Sequence, residues 1–117
     1  MKKPMDKVEI ICRPQQFETL RAALNEIGVT AMTVYDVMGC GRGREVKTYY
    51  RQNSATALKP RTKIETVISE VSVDTLLDKV QQVLKVGDVG EGKVFVSEIC
   101  GALRVRTGER DYDALQY

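Results

Sequence analysis

Two stretches of this chain change hydrophobic period in the same order, from alternation to a helical stripe and back to alternation. In the first, "KVEIICR" (7–13) is short, β-branched and apolar, as a strand requires. It runs into "PQQFETLRAALNEIG" (14–28), where Phe17, Leu20, Leu24 and Ile27 fall on one helical stripe. Pro14 suits the start of that helix and Gly28 its end. "VTAMTVYDVMG" (29–39) then reads as a second strand. The second stretch repeats the pattern. "TKIETVISEV" (62–71) alternates, and "SVDTLLDKVQQVLKVG" (72–87) carries the stripe Val73, Leu76, Leu77, Val80, Val83 and Leu84, with Gly87 as a candidate cap. "VFVSEI" (94–99) is a fourth strand, and "ALRVRTGE" (102–109) reads as a short extended piece with Arg104 and Arg106 on one side.

Strand-helix-strand taken twice predicts an α+β, ferredoxin-like βαββαβ sandwich. Both helices would cover one face of a four-stranded antiparallel sheet. The second predicted strand has apolar residues on both sides, Met32, Val34 and Met38 on one and Ala31, Tyr35 and Val37 on the other. An apolar open face of the sheet, and hence oligomerisation, is the expectation. The 117 residues suit one domain, with a loop of roughly 20 residues (about 40–60) between strands two and three.

Composition narrows the chemistry. The chain has no histidine, which removes His-based catalysis and most transition-metal sites. Cys12, Cys40 and Cys100 are odd in number and form no CxxC pair, so neither a disulfide framework nor a zinc site is suggested. No apolar run approaches a membrane span, and "MKKPMDKVEI" has no apolar core of a signal peptide, so a cytoplasmic protein is expected.

Charge is unevenly placed. Residues 40–63 hold Arg42, Arg44, Lys47, Arg51, Lys59, Arg61 and Lys63 against a single acid, Glu45, and the rest of the chain is net acidic. That focus suits an anionic ligand or partner, and equally a solvated loop. Three features are able to meet one anion. "GCGR" (39–42) lets backbone approach a ligand and adds Arg42. "GEGK" (90–93) frees backbone N–H groups and adds Lys93. "RVR" (104–106) offers two guanidiniums that fork onto phosphate oxygens. Each alone is common in turns or on solvated strands. Together, in this frame, they point to a polyphosphate, although neither GxxxxGK[ST] nor GxGxxG is present.

The pieces "IICRP", "LNEIGVTAMTVYDVMGCGR", "YYR", "KPRTKIE", "VGEGKVFV" and "LRVRTGE" resemble the nitrogen-regulatory PII signal-transduction proteins over nearly the whole chain. The resemblance implies a homotrimer with ATP or ADP in the clefts between subunits, magnesium accompanying ATP, and long loops that dock on a target such as a membrane transporter, a channel or an enzyme. It implies a regulator of energy state and not an enzyme, although slow ATP hydrolysis occurs in the family and no catalytic residue is assigned. Position by position, it implies that Gly39, Gly41 and Arg42 form the loop stem, and that Gly90, Glu91, Gly92, Lys93, Arg104 and Arg106 form the phosphate site. Ala31, Met32 and Thr33 would contact adenine and sugar, with Ile11, Ile64, Glu65 and Val67 near the base. Arg44, Lys47, Tyr49, Tyr50 and Arg51 would belong to the partner-binding loop.

The departures are informative. The family's glutamine after the loop arginine, which helps bind Mg-ATP with 2-oxoglutarate, is Gly43 here, and a lysine partnered with it is Arg61. Glycine has no side chain to coordinate a metal or keto acid. Weak or absent 2-oxoglutarate sensing is therefore expected. The uridylylated tyrosine is replaced by Ala55, Gln52 stands for the glycine of Y-R-G, and the loop is one residue shorter. Val86 replaces a Ser/Thr and Glu91 an Asp. Two other functions fit the frame. A nucleic-acid-binding ferredoxin-like module fits the basic segment, but seven aromatics and no RNP-like pair argue against stacking. A trimer that binds trace metal or a small anion is disfavoured by the missing histidines.

Overall fold

The structure is a computed structural model that describes residues 3–40, 58–85 and 92–115. Four strands, β1 (Asp6–Cys12), β2 (Thr33–Gly39), β3 (Lys59–Ile68) and β4 (Lys93–Glu98), form one sheet in the order β2-β3-β1-β4. Every neighbouring pair is antiparallel. Helix α1 (Phe17–Glu26) follows β1 through a 3₁₀ turn at Pro14–Gln16, and α2 (Val73–Leu84) follows β3. A second 3₁₀ turn spans Asp111–Leu115. This is the ferredoxin-like α+β fold.

The helix ends are set by local chemistry. Ahead of α1, the Arg13 N–H donates to Gln16 Oε1 at 3.0 Å, satisfying a backbone group as the chain turns. At the other end Gly28 takes φ +94°, its N–H donates to the Asn25 carbonyl, and the Val29 N–H donates to the Leu24 carbonyl. This pair of bonds is a Schellman closure, and its hydrophobic contact is made by Leu24 and Val29, both in the core. Ser72 caps α2, its Oγ accepting from the Thr75 N–H at 3.1 Å. The cap expected at Gly87 lies outside the described residues.

Alternation on the two central strands makes the core. Val8, Ile10 and Cys12 of β1 and Ile64 and Ile68 of β3 face Leu20, Leu24, Leu76, Val80 and Leu84 of the helices. Burial pushes the Cys12 thiol above its ordinary pKa, so it is inert core filler. The edge strand β2 is different. Val34 and Met38 are on the helix side but 44% and 58% exposed, because the helices leave this edge uncovered.

Three expectations shift. The second strand begins at Thr33 and not at 29, because the Schellman closure uses residues 28–29 and Val29 plugs the core. The third strand runs three residues earlier than 62–71, because Gly39 pairs with Lys59 and extends the ladder into the expected loop. The open face of the sheet is charged at its centre and not apolar. Lys7 and Glu9 of β1 and Lys63 and Glu65 of β3 occupy it, with Ile11, Val67, Val37 and Phe95 around them. "KVE" (7–9) and "KIE" (63–65) run antiparallel, so each lysine lies near both glutamates.

Candidate functional site

A cleft of about 470 Å³ opens where three segments meet. The α1–β2 connection (28–33) forms one wall, the end of β3 and the turn after it (65–71) a second, and Arg104 with Ala114 and Leu115 a third. Each wall is tied down. The Thr66 hydroxyl donates to the Ala31 carbonyl at 2.8 Å and holds the irregular connection against β3. The Tyr112 hydroxyl donates to Glu70, Lys3 pairs with the same carboxylate at 3.3 Å, and the Lys3 ammonium sits 4.1 Å from the Tyr112 ring centroid. These contacts fasten the C-terminal 3₁₀ turn to the β3–α2 turn.

Glu65 forms the floor beside the charged lattice. Glu9 and Glu65 are direct cross-strand partners, an arrangement that repels unless cations flank it. Lys7 and Lys63 do so, at 3.4–3.8 Å from the four carboxylate contacts. The Tyr35 hydroxyl donates to Glu65 Oε1 at 3.0 Å. Burial works against the Glu65 charge, but the Tyr35 hydrogen bond and the two lysines outweigh it and hold the carboxyl below its usual range. The same hydrogen bond raises Tyr35, and contact with Glu9 and then Glu65 raises Lys7. The cleft floor is thus a fixed anion next to fixed cations at neutral pH.

The expected site residues divide into two groups. Ala31, Met32, Thr33, Glu65, Val67 and Arg104 all line the cleft. Ile11, Gly39, Gly92 and Lys93 lie towards the other end of the sheet, where Ile11 pairs with Lys93 and Gly39 with Lys59. Thr33 and Gly39 are the two ends of β2, six residue steps and about 20 Å of strand apart. Lys93 is three strands across from Thr33 and two residues along, about 16 Å away. A nucleotide reaching both groups of one chain would lie across the Lys7–Glu9–Lys63–Glu65 lattice.

Other placements differ from the sequence reading. Ile64 is fully buried and packs in the core, so its side chain presents nothing to a ligand. Its alternation partner faces are the reason: Ile10 lies opposite and both point at the helices. Gly92 has a packing role, since a Cβ there would stand 3.0 Å from Leu84 Cδ1 and 3.3 Å from the Ile11 carbonyl oxygen. The 102–109 segment is a tight hairpin and not an extended piece. A Leu103–Arg110 bridge closes it, the Gly108 N–H donates to the Arg104 carbonyl, and Gly108 takes φ +79°. The turn parts the two arginines. Arg104 is half-buried in the cleft wall, while Arg106 is exposed in the turn. Gly41, Arg42, Arg44, Lys47, Tyr49, Tyr50, Arg51, Gly90 and Glu91 lie outside the described residues.

The sequence reading missed Lys7, Thr66, Ser69 and Glu70 as cleft residues. The twin K-x-E motifs were a usable signal for the lattice, whereas the Ala31–Thr66 bond depends on a tertiary approach. Among the described residues no group of three or more His, Cys, Asp or Glu side chains is placed to hold a metal. No helix among them is long and apolar enough to cross a membrane. On the open face Tyr35 and Phe95 sit on opposite edge strands and do not make an adjacent stacking pair for nucleic-acid bases.

The sequence profile of a family described as "Nitrogen regulatory protein P-II" matches residues 5–109. A "Nitrogen regulatory PII-like protein" of Bacillus subtilis (strain 168) is 43% identical over 112 residues, 95% of this chain and 97% of that protein. A "Nitrogen regulatory protein P-II" of Synechocystis is 38% identical over 95% of this chain and all of its own length. Among solved structures, a B. subtilis GlnK–ATP complex superposes with a TM-score of 0.80 at 41% identity, covering 98% of this chain and 99% of its own. Arabidopsis thaliana PII bound to citrate gives a TM-score of 0.75 at 31% identity, covering 97% and 92%.

Proposed function

The chain belongs to the nitrogen regulatory P-II family, and on that premise we propose that it binds ATP and ADP between the subunits of a homotrimer and reports energy state to a target protein. It is a signal-transduction regulator and not an enzyme. The observation that carries the proposal is the division of the site residues into two groups at different parts of the sheet. Two copies of the chain bring complementary halves to one ligand. One copy supplies the cleft of Ala31, Met32, Thr33, Glu65 and Arg104. The next supplies Ile11, Gly39, Gly92 and Lys93. The relative whose structure was solved as an ATP complex supports the nucleotide.

The two halves suit different parts of the ligand. The α1–β2 connection, held by Thr66, offers backbone groups and the Met32 side chain to a purine and its sugar. Arg104 and Lys93 offer cations to phosphates. Magnesium would accompany the triphosphate through its own phosphate oxygens.

Gly39 closes the β2–β3 ladder, so a ligand there acts at the base of the 40–58 segment. ATP and ADP bias target binding only by the difference in their affinities for the target-bound and target-free forms. The segment then binds or releases a target, such as a transporter, a channel or a metabolic enzyme, in the cytoplasm. Gly43 in place of a glutamine leaves 2-oxoglutarate without its side-chain partner, and Ala55 leaves no tyrosine for uridylylation.

Titration calorimetry with ATP, ADP and 2-oxoglutarate tests this reading. Both nucleotides should bind with about one site per subunit, and 2-oxoglutarate should give no heat in the presence of Mg-ATP. Tight keto-acid binding would sink the claimed loss of that sensing, and absence of nucleotide binding would sink the proposal.

A further inference from the structure

Arg104 already has two acceptors within its own chain. Its Nη1 pairs with Glu109 Oε1 at 3.3 Å and its Nη2 donates to the Ala114 carbonyl at 3.2 Å. Those two nitrogens are the edge with which a guanidinium grips a phosphate bidentately. The carboxylate is held in place independently of the arginine. The Thr107 hydroxyl donates to Glu109 Oε1 at 2.9 Å, and the Glu109 N–H donates back to Thr107 Oγ1 at 3.3 Å. The hairpin fixes the register, because the Arg104 N–H donates to the Glu109 carbonyl at 2.9 Å and Gly108 closes the turn. A phosphate arriving at Arg104 therefore meets an occupied cation and a negative charge beside it.

We propose that Glu109 is a built-in competitor of the nucleotide phosphates for Arg104, setting the affinity of the site, so that binding requires the Arg104–Glu109 pair to open. The inference rests on the reading of Arg104 as a phosphate ligand. Displacement would also free the Ala114 carbonyl, loosening one tie of the 111–115 turn that walls the cleft. The pair is half-exposed, so its contribution is modest and can be overcome by a polyanion.

The test is calorimetry of ATP binding to four forms of the full chain: wild type, Glu109→Gln, Arg104→Ala and the double variant. Glu109→Gln keeps the shape and removes the charge, and should tighten ATP about two- to fivefold. Arg104→Ala should weaken ATP, and in that background Glu109→Gln should have no further effect. Glu109→Asp, with a shorter reach and the charge kept, should tighten ATP less than Glu109→Gln. Unchanged or weaker ATP binding in Glu109→Gln, with Arg104→Ala still weakening it, overturns the competitor role and leaves the nucleotide site standing. No effect of Arg104→Ala overturns the reading of Arg104 itself. Equal weakening by Glu109→Gln and Glu109→Asp shows a structural role only, and overturns the proposal.

Discussion

Single residues in this protein are constrained by what lies across a strand. Glu65 faces Glu9 directly and is tolerable only because Lys7, Lys63 and the Tyr35 hydroxyl surround it. Removing the hydroxyl should show the dependence. In Tyr35→Phe the Glu65 carboxyl should titrate higher than in the wild type, closer to the ordinary glutamate range, as followed by carboxyl-carbon NMR. The sign for stability follows. A carboxyl lowered in the folded state adds stability that is present above its unfolded value, near pH 4.3, and lost as pH falls through the folded value. Denaturant midpoints should therefore drop on acidification below about pH 4.3, and the drop should be smaller in Tyr35→Phe. Gly92 is constrained by volume. Gly92→Ala should cost about 1–3 kcal/mol in urea unfolding, because Leu84 and the Ile11 carbonyl would both have to yield.

At the scale of elements, the connections decide more than the helices and strands they join. Gly28 ends α1 in the left-handed region and lets Val29 enter the core. Gly28→Ala should destabilise the fold by about 1 kcal/mol, measured by thermal or urea unfolding. Thr66 then carries the connection to β3. Thr66→Val keeps the shape and deletes the bond to Ala31, which should cost about 1 kcal/mol and weaken ATP more than it weakens the fold. The elements themselves were legible because their apolar residues recur at helical or strand spacing, and the capping signal at Gly28 stood in the right place. The hairpin at 103–110 was not legible. Its alternation of Leu103, Arg104, Val105 and Arg106 imitates a strand, and the turn depends on Gly108 at positive φ and on a bridge to Arg110.

For the whole molecule, the division of the site makes a prediction about assembly. If each nucleotide is held by two chains, Lys93→Ala and Arg104→Ala damage opposite sides of one interface. Each variant alone should bind ATP weakly at every site. Chains of the two variants refolded together should regain about one intact interface in four, seen as a fraction of tight sites in calorimetry. A site held within one chain would regain none.

The ferredoxin-like order of elements, the two helix stripes and the family were determined by the sequence. All rest on local period or on runs of specific residues, which survive without knowledge of what packs where. Tertiary structure decided the charged open face, the sealing of Ile64 away from the cleft, the parting of Arg104 from Arg106 and the pairing of Arg104 with Glu109. These depend on which residues become neighbours across strands and turns. Antiparallel register places Glu9 opposite Glu65, and a single positive-φ glycine turns an apparent strand into a hairpin whose own carboxylate meets its arginine.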